Sequence, residues 1–172
     1  MFLNIVNCFI FMYCDFVLAS KDLEFEKFAK RLGFSRLVFK DDFSKMGIAE
    51  AKDYGTNRKL VETKRVKILV NPHINSNKDS LHFRTGGLDH VLCNLASKNN
   101  TAIGFSLDSL NNPVVIGRIK QNIKLCRKYK VRMLFFTFSK NKYELRAVND
   151  LLSLLRVLGM TGKEAKDALS YC

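Results

Sequence analysis

The chain has 172 residues, 47% of them hydrophobic and 14 of them Phe, which allows one domain with a sizeable core and excludes a disordered or fibrous polypeptide. Its 29 Lys and Arg against 16 Asp and Glu leave a net charge of +13, a surplus that concentrates polyanions and supplies the sequence-independent part of nucleic-acid affinity. Five scattered cysteines (Cys8, Cys14, Cys93, Cys126 and Cys172), with no Cys-x-x-Cys pair, argue against a zinc knuckle or a disulfide framework and suit a reducing cytoplasm.

Met1 to Phe11 form an apolar extension, and Met12 is a second possible start. Val17-x-Ala19 mimics a signal-peptidase site, but no basic residue precedes the apolar run, and Asn4, Asn7 and Asp15 interrupt it. It is too broken to span a membrane. Ser20 is expected to cap a helix from Asp22 to Leu32, acidic in its first turns, basic in its last, and ended by Gly33. A short strand follows at Leu37–Phe39, then a polar stretch from Lys40 to Thr56 with a weak helix around Ile48 to Lys52. A turn of helix covers Asn57 to Glu62. Val66–Val70, a nearly continuous apolar run, reads as a strand covered on both faces.

The loop from Asn71 to Thr85 leads into Gly86-Gly-Leu-Asp-His-Val-Leu-Cys-Asn-Leu-Ala-Ser-Lys98. This reads as a glycine-led helix with an apolar stripe at Leu88, Val91, Leu92, Leu95 and Ala96, and with His90, Asn94, Ser97 and Lys98 on its polar face. Thr101–Leu107 is strand-like. Asn112-Pro113 caps and opens a helix to about Tyr129. Its apolar line is Ile116, Ile119, Ile123 and Cys126, and a basic line runs through Lys120, Lys124, Arg127 and Lys128. Val131–Phe138 is a strand, Glu144–Leu158 a helix, and Thr161-Gly-Lys-Glu164 a capping box for the last helix. Alternating strands and helices predict an α/β domain with a parallel sheet curled toward a barrel.

In order, Asn57-Arg-Lys-Leu-Val-Glu62, Val66–Pro72, Lys78-Asp-Ser80, Gly86–Lys98, Tyr143–Asp150, Leu158-Gly-Met160 and Ala165–Ser170 closely resemble archaeal ribonuclease P protein component 3. The resemblance covers about Tyr13 to Ser170. It implies a TIM-barrel-like fold related to the polymerase-and-histidinol-phosphatase barrels, with Tyr13–Leu18 as the first strand and Asp15 pointing out of it. Members spend several tens of residues between the second strand and the Asn-Arg motif, where this chain has only Lys40 to Thr56. The barrel is therefore expected to be contracted or incomplete, with residues 12–172 as one domain and an exposed apolar flank. The extension at 1–11 is expected to pack on the barrel or at a protein–protein interface.

The metallo-barrels need His and carboxylates converging at strand ends. Here Cys14-Asp15-Phe16 stands in place of His-x-His, Asn71-Pro72 in place of His-Pro, Gly104 in place of a frequent Glu, and Thr137-Phe138-Ser139 in place of a motif that often holds an acid. The chain itself is expected to be non-catalytic and to bind no metal. The resemblance implies an RNA-binding subunit of ribonuclease P, where the catalytic RNA with Mg²⁺ removes the 5′ leader of precursor tRNA. Its implied partners are that RNA, protein component 2 (as a two-plus-two heterotetramer) and the other protein subunits, in the cytoplasm and away from membranes. The candidate RNA-binding residues are Arg58, Lys59, Lys78, Arg84, His90, Lys98, Lys120, Lys124, Arg127 and Lys128, since guanidinium binds phosphate bidentately and ammonium gives a mobile point charge. The competing readings are a metal-dependent phosphoesterase using His73, His82, Asp89 or His90, and a general basic RNA-binding scaffold.

Overall fold

Alternation of side chains along each strand sorts the apolar residues into two separate clusters, one on each face of a curled parallel sheet. The computed structural model describes residues 12–74, 79, 82 and 84–171. The extension at 1–11 and Lys78 lie outside the described residues. The elements are β1 Cys14–Val17, α1 Leu23–Arg31, β2 Arg36–Phe39, β3 Ile48–Glu50, α2 Tyr54–Glu62, β4 Ile68–Val70, α3 His90–Lys98, β5 Ala102–Ser106, α4 Pro113–Lys128, β6 Met133–Phe136, α5 Val148–Val157 and α6 Gly162–Ala168.

β1 pairs with β2, and β3, β4, β5 and β6 pair in that order, every pair parallel. Just beyond the strand ends, Phe138 N–H donates to the Phe16 carbonyl (3.0 Å) and Leu18 N–H to that of Ser139 (2.9 Å). These bonds set β6 beside β1, so among the described residues the strands follow the order β2-β1-β6-β5-β4-β3, with β2 and β3 at its two ends. One face carries Cys14, Phe16, Val38, Ile68, Val70, Ala102, Leu134 and Phe136. The other carries Val17, Leu37, Phe39, Leu69, Ile103, Phe105, Met133 and Phe135, against the helices.

The apolar flank foreseen between β2 and β3 is partly covered, with Phe43, Met46, Ile48 and Ala49 half-buried there. The connection from Lys40 to Gly47 folds back so that Phe43 packs on Phe16 and Phe138, with ring centroids 5.6 and 5.9 Å away, while Met46 joins the same cluster. From the opposite end of β1, Tyr171 meets Phe16 edge-on at 5.6 Å, and Cys14 N–H donates to the Leu169 carbonyl. The edges of β2 and β3 remain without a strand partner among the described residues.

Several sequence expectations need correction. Asp22, not Ser20, caps α1, because its carboxylate accepts from Glu24 N–H at 3.0 Å. Ile48–Glu50 is a strand, held by its register with Ile68–Val70, rather than part of a weak helix. The stretch from Glu144 to Leu158 is not one helix: a 3-10 turn at Lys142–Glu144 precedes α5. Asp15 does point away from the inner cluster, yet it is fully buried, accepting from Thr137 N–H (2.8 Å), the Thr137 hydroxyl and Phe16 N–H. Burial pushes its carboxyl up to about 6, with the Thr137 hydrogen bonds opposing.

Candidate nucleic-acid interface

Every fourth residue of α4 from Lys120 onward is a lysine, and at 1.5 Å rise per residue this sets Lys120, Lys124 and Lys128 about 6 Å apart along one side of the helix. Ile119, Ile123 and Cys126 face the core, which turns the lysines outward. The side opposite the lysines is supplied by the end of α5, where Val157, Leu158 and Gly159 face α4. Arg84 reaches the same space, and its guanidinium lies over Gly117, whose carbonyl it contacts at 3.4 Å. Together these residues, with Gln121 and Leu125, line a groove of about 520 Å³ that holds four cations and no carboxylate. Val157, 70% exposed, leaves an apolar patch on its rim.

Arg127 belongs to the same helix but does different work. Its guanidinium grips both carboxylate oxygens of Glu164 (2.7 and 2.6 Å) and the Gly159 carbonyl (2.7 Å). The carboxylate of Glu164 is thereby held down at about 2, and it also accepts from Thr161 N–H to complete the capping box of α6. Arg127 therefore fixes the turn between α5 and α6 against α4, and so places the far wall of the groove.

The remaining candidates lie elsewhere. Arg58, Lys59, His90 and Lys98 are exposed on the neighbouring pair α2 and α3. Arg58 is paired with Glu62 at 3.0 Å along α2. His90 is the first residue of α3, which Asp89 caps by accepting from Leu92 N–H at 2.8 Å. The same carboxylate accepts from the Tyr54 hydroxyl, tying the starts of α2 and α3 together.

The two glycines expected to lead α3 precede it and serve packing. Gly87 has φ +73°, and a Cβ there would fall 1.7 Å from the Pro72 carbonyl oxygen. One at Gly86 would meet the Asn122 side chain at 2.7 Å. Asn122 in turn donates to the Gly86 carbonyl. Arg118, one turn before Asn122, is buried, donating to Asp79 (2.7 Å) and to the His73 carbonyl (3.0 Å). Neither is among the sequence-predicted site residues, although a polar pair four apart inside an apolar line is a recognisable sign of a buried hydrogen-bonding role.

Among the described residues, histidines and carboxylates do not converge. His73 is buried with Nε2 3.1 Å from the Ser109 hydroxyl, and its basicity is lowered to about 4 by burial and by the Arg118 charge. His82 and His90 are exposed, and Asp89 is committed to its cap. Among the described residues no group of three or more His, Cys, Asp or Glu is placed to share a metal ion. Nor is any described helix long and apolar enough to cross a membrane.

No family model matches the chain. Ribonuclease P protein component 3 of Methanococcoides burtonii is 35% identical over 124 residues, which make up 69% of this chain and 48% of that protein. The protein of the same name from Thermococcus gammatolerans is 33% identical over 125 residues, 69% of this chain and 55% of that one. The chain thus spans about half the length of the curated relatives it matches. A chain in the cryo-EM structure of archaeal ribonuclease P with mature tRNA shares its fold, with a TM-score of 0.61 over 90% of this chain and 76% of that one at 23% identity. On the strength of the sequence relatives, this chain belongs to the family of ribonuclease P protein component 3.

Proposed function

We propose that the chain is an RNA-binding protein subunit of ribonuclease P, supporting a catalytic RNA in the endonucleolytic removal of the 5′ leader from precursor tRNA. The observation that carries this reading is the groove of Arg84, Lys120, Lys124 and Lys128, without a carboxylate, on a chain whose relatives bear that name. Phosphates laid along α4 meet a cation at each turn, and Arg84 adds a fork able to hold one phosphate bidentately. Arg58, Lys59, His90 and Lys98 form a second contact region, Lys78 stays a candidate from its place in the sequence alone, and Arg127 holds the first in shape.

On this reading the chain performs no chemistry of its own. Mg²⁺ works on the RNA, and protein component 2 and the other subunits complete the particle, in the cytoplasm, with a two-plus-two pairing of components 2 and 3. The parallel order of the six strands among the described residues, with β6 beside β1, supports a contracted TIM-type barrel open between β2 and β3. Purification of the chain from its native cell, followed by sequencing of bound RNA, tests the proposal. A single structured RNA of ribonuclease P type is expected, and precursor tRNA cleavage that is lost on nuclease treatment. Cleavage by RNA-free protein, dependent on added metal, would instead establish a phosphoesterase, and a mixture of unrelated RNAs would establish a general scaffold.

A further inference from the structure

At the carboxyl ends of the strands a second pocket opens, of about 210 Å³, lined by Leu18, Phe43, Ile48, Glu50, Val70, Asn71, Asp108 and Phe138. In a chain of net charge +13 this pocket holds two carboxylates and no cation. Neither Glu50 nor Asp108 makes an ion pair or side-chain hydrogen bond among the described residues. Asn71, 5% exposed, spends its amide N–H on the Ser106 hydroxyl (2.8 Å), and its Oδ1 meets no partner. The two carboxylates thus present acceptors to the pocket, and the complementary group is a donor. Five of the eight lining residues are apolar, two of them Phe rings.

The backbone is shaped around this space. Among the described residues five non-glycines have positive φ, and three of them (Lys64, Asn100 and Lys130) simply follow helix ends. The other two, Asn71 and Phe138, lie just past β4 and β6 and both line the pocket.

We propose that this pocket receives the guanidinium side chain of an arginine from a partner protein. A guanidinium has planar apolar faces for Phe43 and Phe138 and five edge donors for the acceptors. A divalent cation wants six or more oxygens and no hydrocarbon wall. The volume exceeds the 150 Å³ cavity that encloses benzene but falls short of the roughly 300 Å³ at which small-molecule sites begin, which suits one side chain. A nucleobase fits the rings, but its phosphate would approach two unpaired carboxylates.

Amide NMR of the full chain tests this, with N-acetyl-arginine amide, N-acetyl-lysine amide, magnesium chloride and cytidine monophosphate as separate probes. Arginine amide is expected to give saturable millimolar shifts at Glu50, Asn71, Asp108 and Phe138, more tightly than the other three. Glu50→Gln with Asp108→Asn should weaken it at least about tenfold, since two charge-assisted hydrogen bonds lose their charge, while the circular dichroism spectrum and RNA affinity hold. Each single variant should weaken it part-way. Absence of saturable shifts, tighter binding of any other probe, or an unaltered response in the folded double variant overturns the proposal. The proposed RNA contacts lie in the α4 groove and on α2 and α3, none of which lines this pocket, so failure of that reading leaves this result independent.

Discussion

Gly87 and Pro72 are in backbone contact so close that the space where a Cβ of residue 87 would sit is already taken by the Pro72 carbonyl oxygen. The pair clamps the entry to α3 against the turn that follows β4. No relaxation of a side chain can relieve a collision with backbone.

Gly87→Ala should therefore destabilise the fold by about 3 kcal/mol or more, combining left-handed strain with displacement of the turn. Gly159 shares the positive φ but meets nothing within 4 Å, so Gly159→Ala should cost only about 1 to 2 kcal/mol. Urea unfolding of the two variants measures the difference. Equal losses would show that the Pro72 contact is unimportant.

Replacing Lys120, Lys124 and Lys128 together with Gln should lower RNA affinity and flatten its salt dependence by roughly 2 in the log–log slope. Replacing three lysines outside the groove, such as Lys21, Lys27 and Lys45, serves as the matched charge control. A slope that falls equally in both would place the phosphates elsewhere.

Arg127→Ala should cost about 1 to 2 kcal/mol, since an exposed pair contributes little but this one is bidentate and shares Glu164 with the α6 cap. It should also weaken RNA binding while leaving the salt slope nearly intact, because its charge is spent on Glu164. A drop in slope of a full unit contact would show Arg127 on phosphate instead.

Stability should respond to pH through two buried groups acting in opposite senses. His73, lowered from 6.5 to about 4, takes up its proton more readily when unfolded, so its contribution is present above pH 6.5 and fades as pH falls to about 4. Asp15, raised from 3.8 to about 6, favours the fold below pH 3.8 and loses that contribution as pH rises through 6. Each amounts to about 3 kcal/mol, so they largely cancel between pH 4 and 6. In His73→Asn the cancellation is removed, and stability should fall as pH rises from about 4 to 6. Denaturant midpoints across that range decide it.

The parallel α/β order, the core stripes of α3 and α4, the Asn112 and Thr161 caps and the lysine line were legible because each is written in local spacing. Spacing alone said nothing of Asp15, whose burial depends on Thr137 at the far end of the chain, or of Arg127, whose partner Glu164 lies on another helix. Ile48–Glu50 is illegible as a strand for a related reason. With three residues it has no period of its own, and only pairing with β4 makes it a strand. The groove needed α4 and the end of α5 brought side by side, and the sequence supplied only one of its walls.

The link between β1 and β6 also sets a timetable for the newborn chain. Asp15 and Thr137 are 122 positions apart, so β1 and β2 leave the ribosome long before the strand that completes their sheet. At about 5 to 20 residues per second, the wait is roughly 6 to 25 s. Through that interval Phe16 and Val38 lack the cover that Leu134 and Phe136 later give them. Synthesis speed and early chaperone capture should therefore govern the yield of folded protein more than the final stability does.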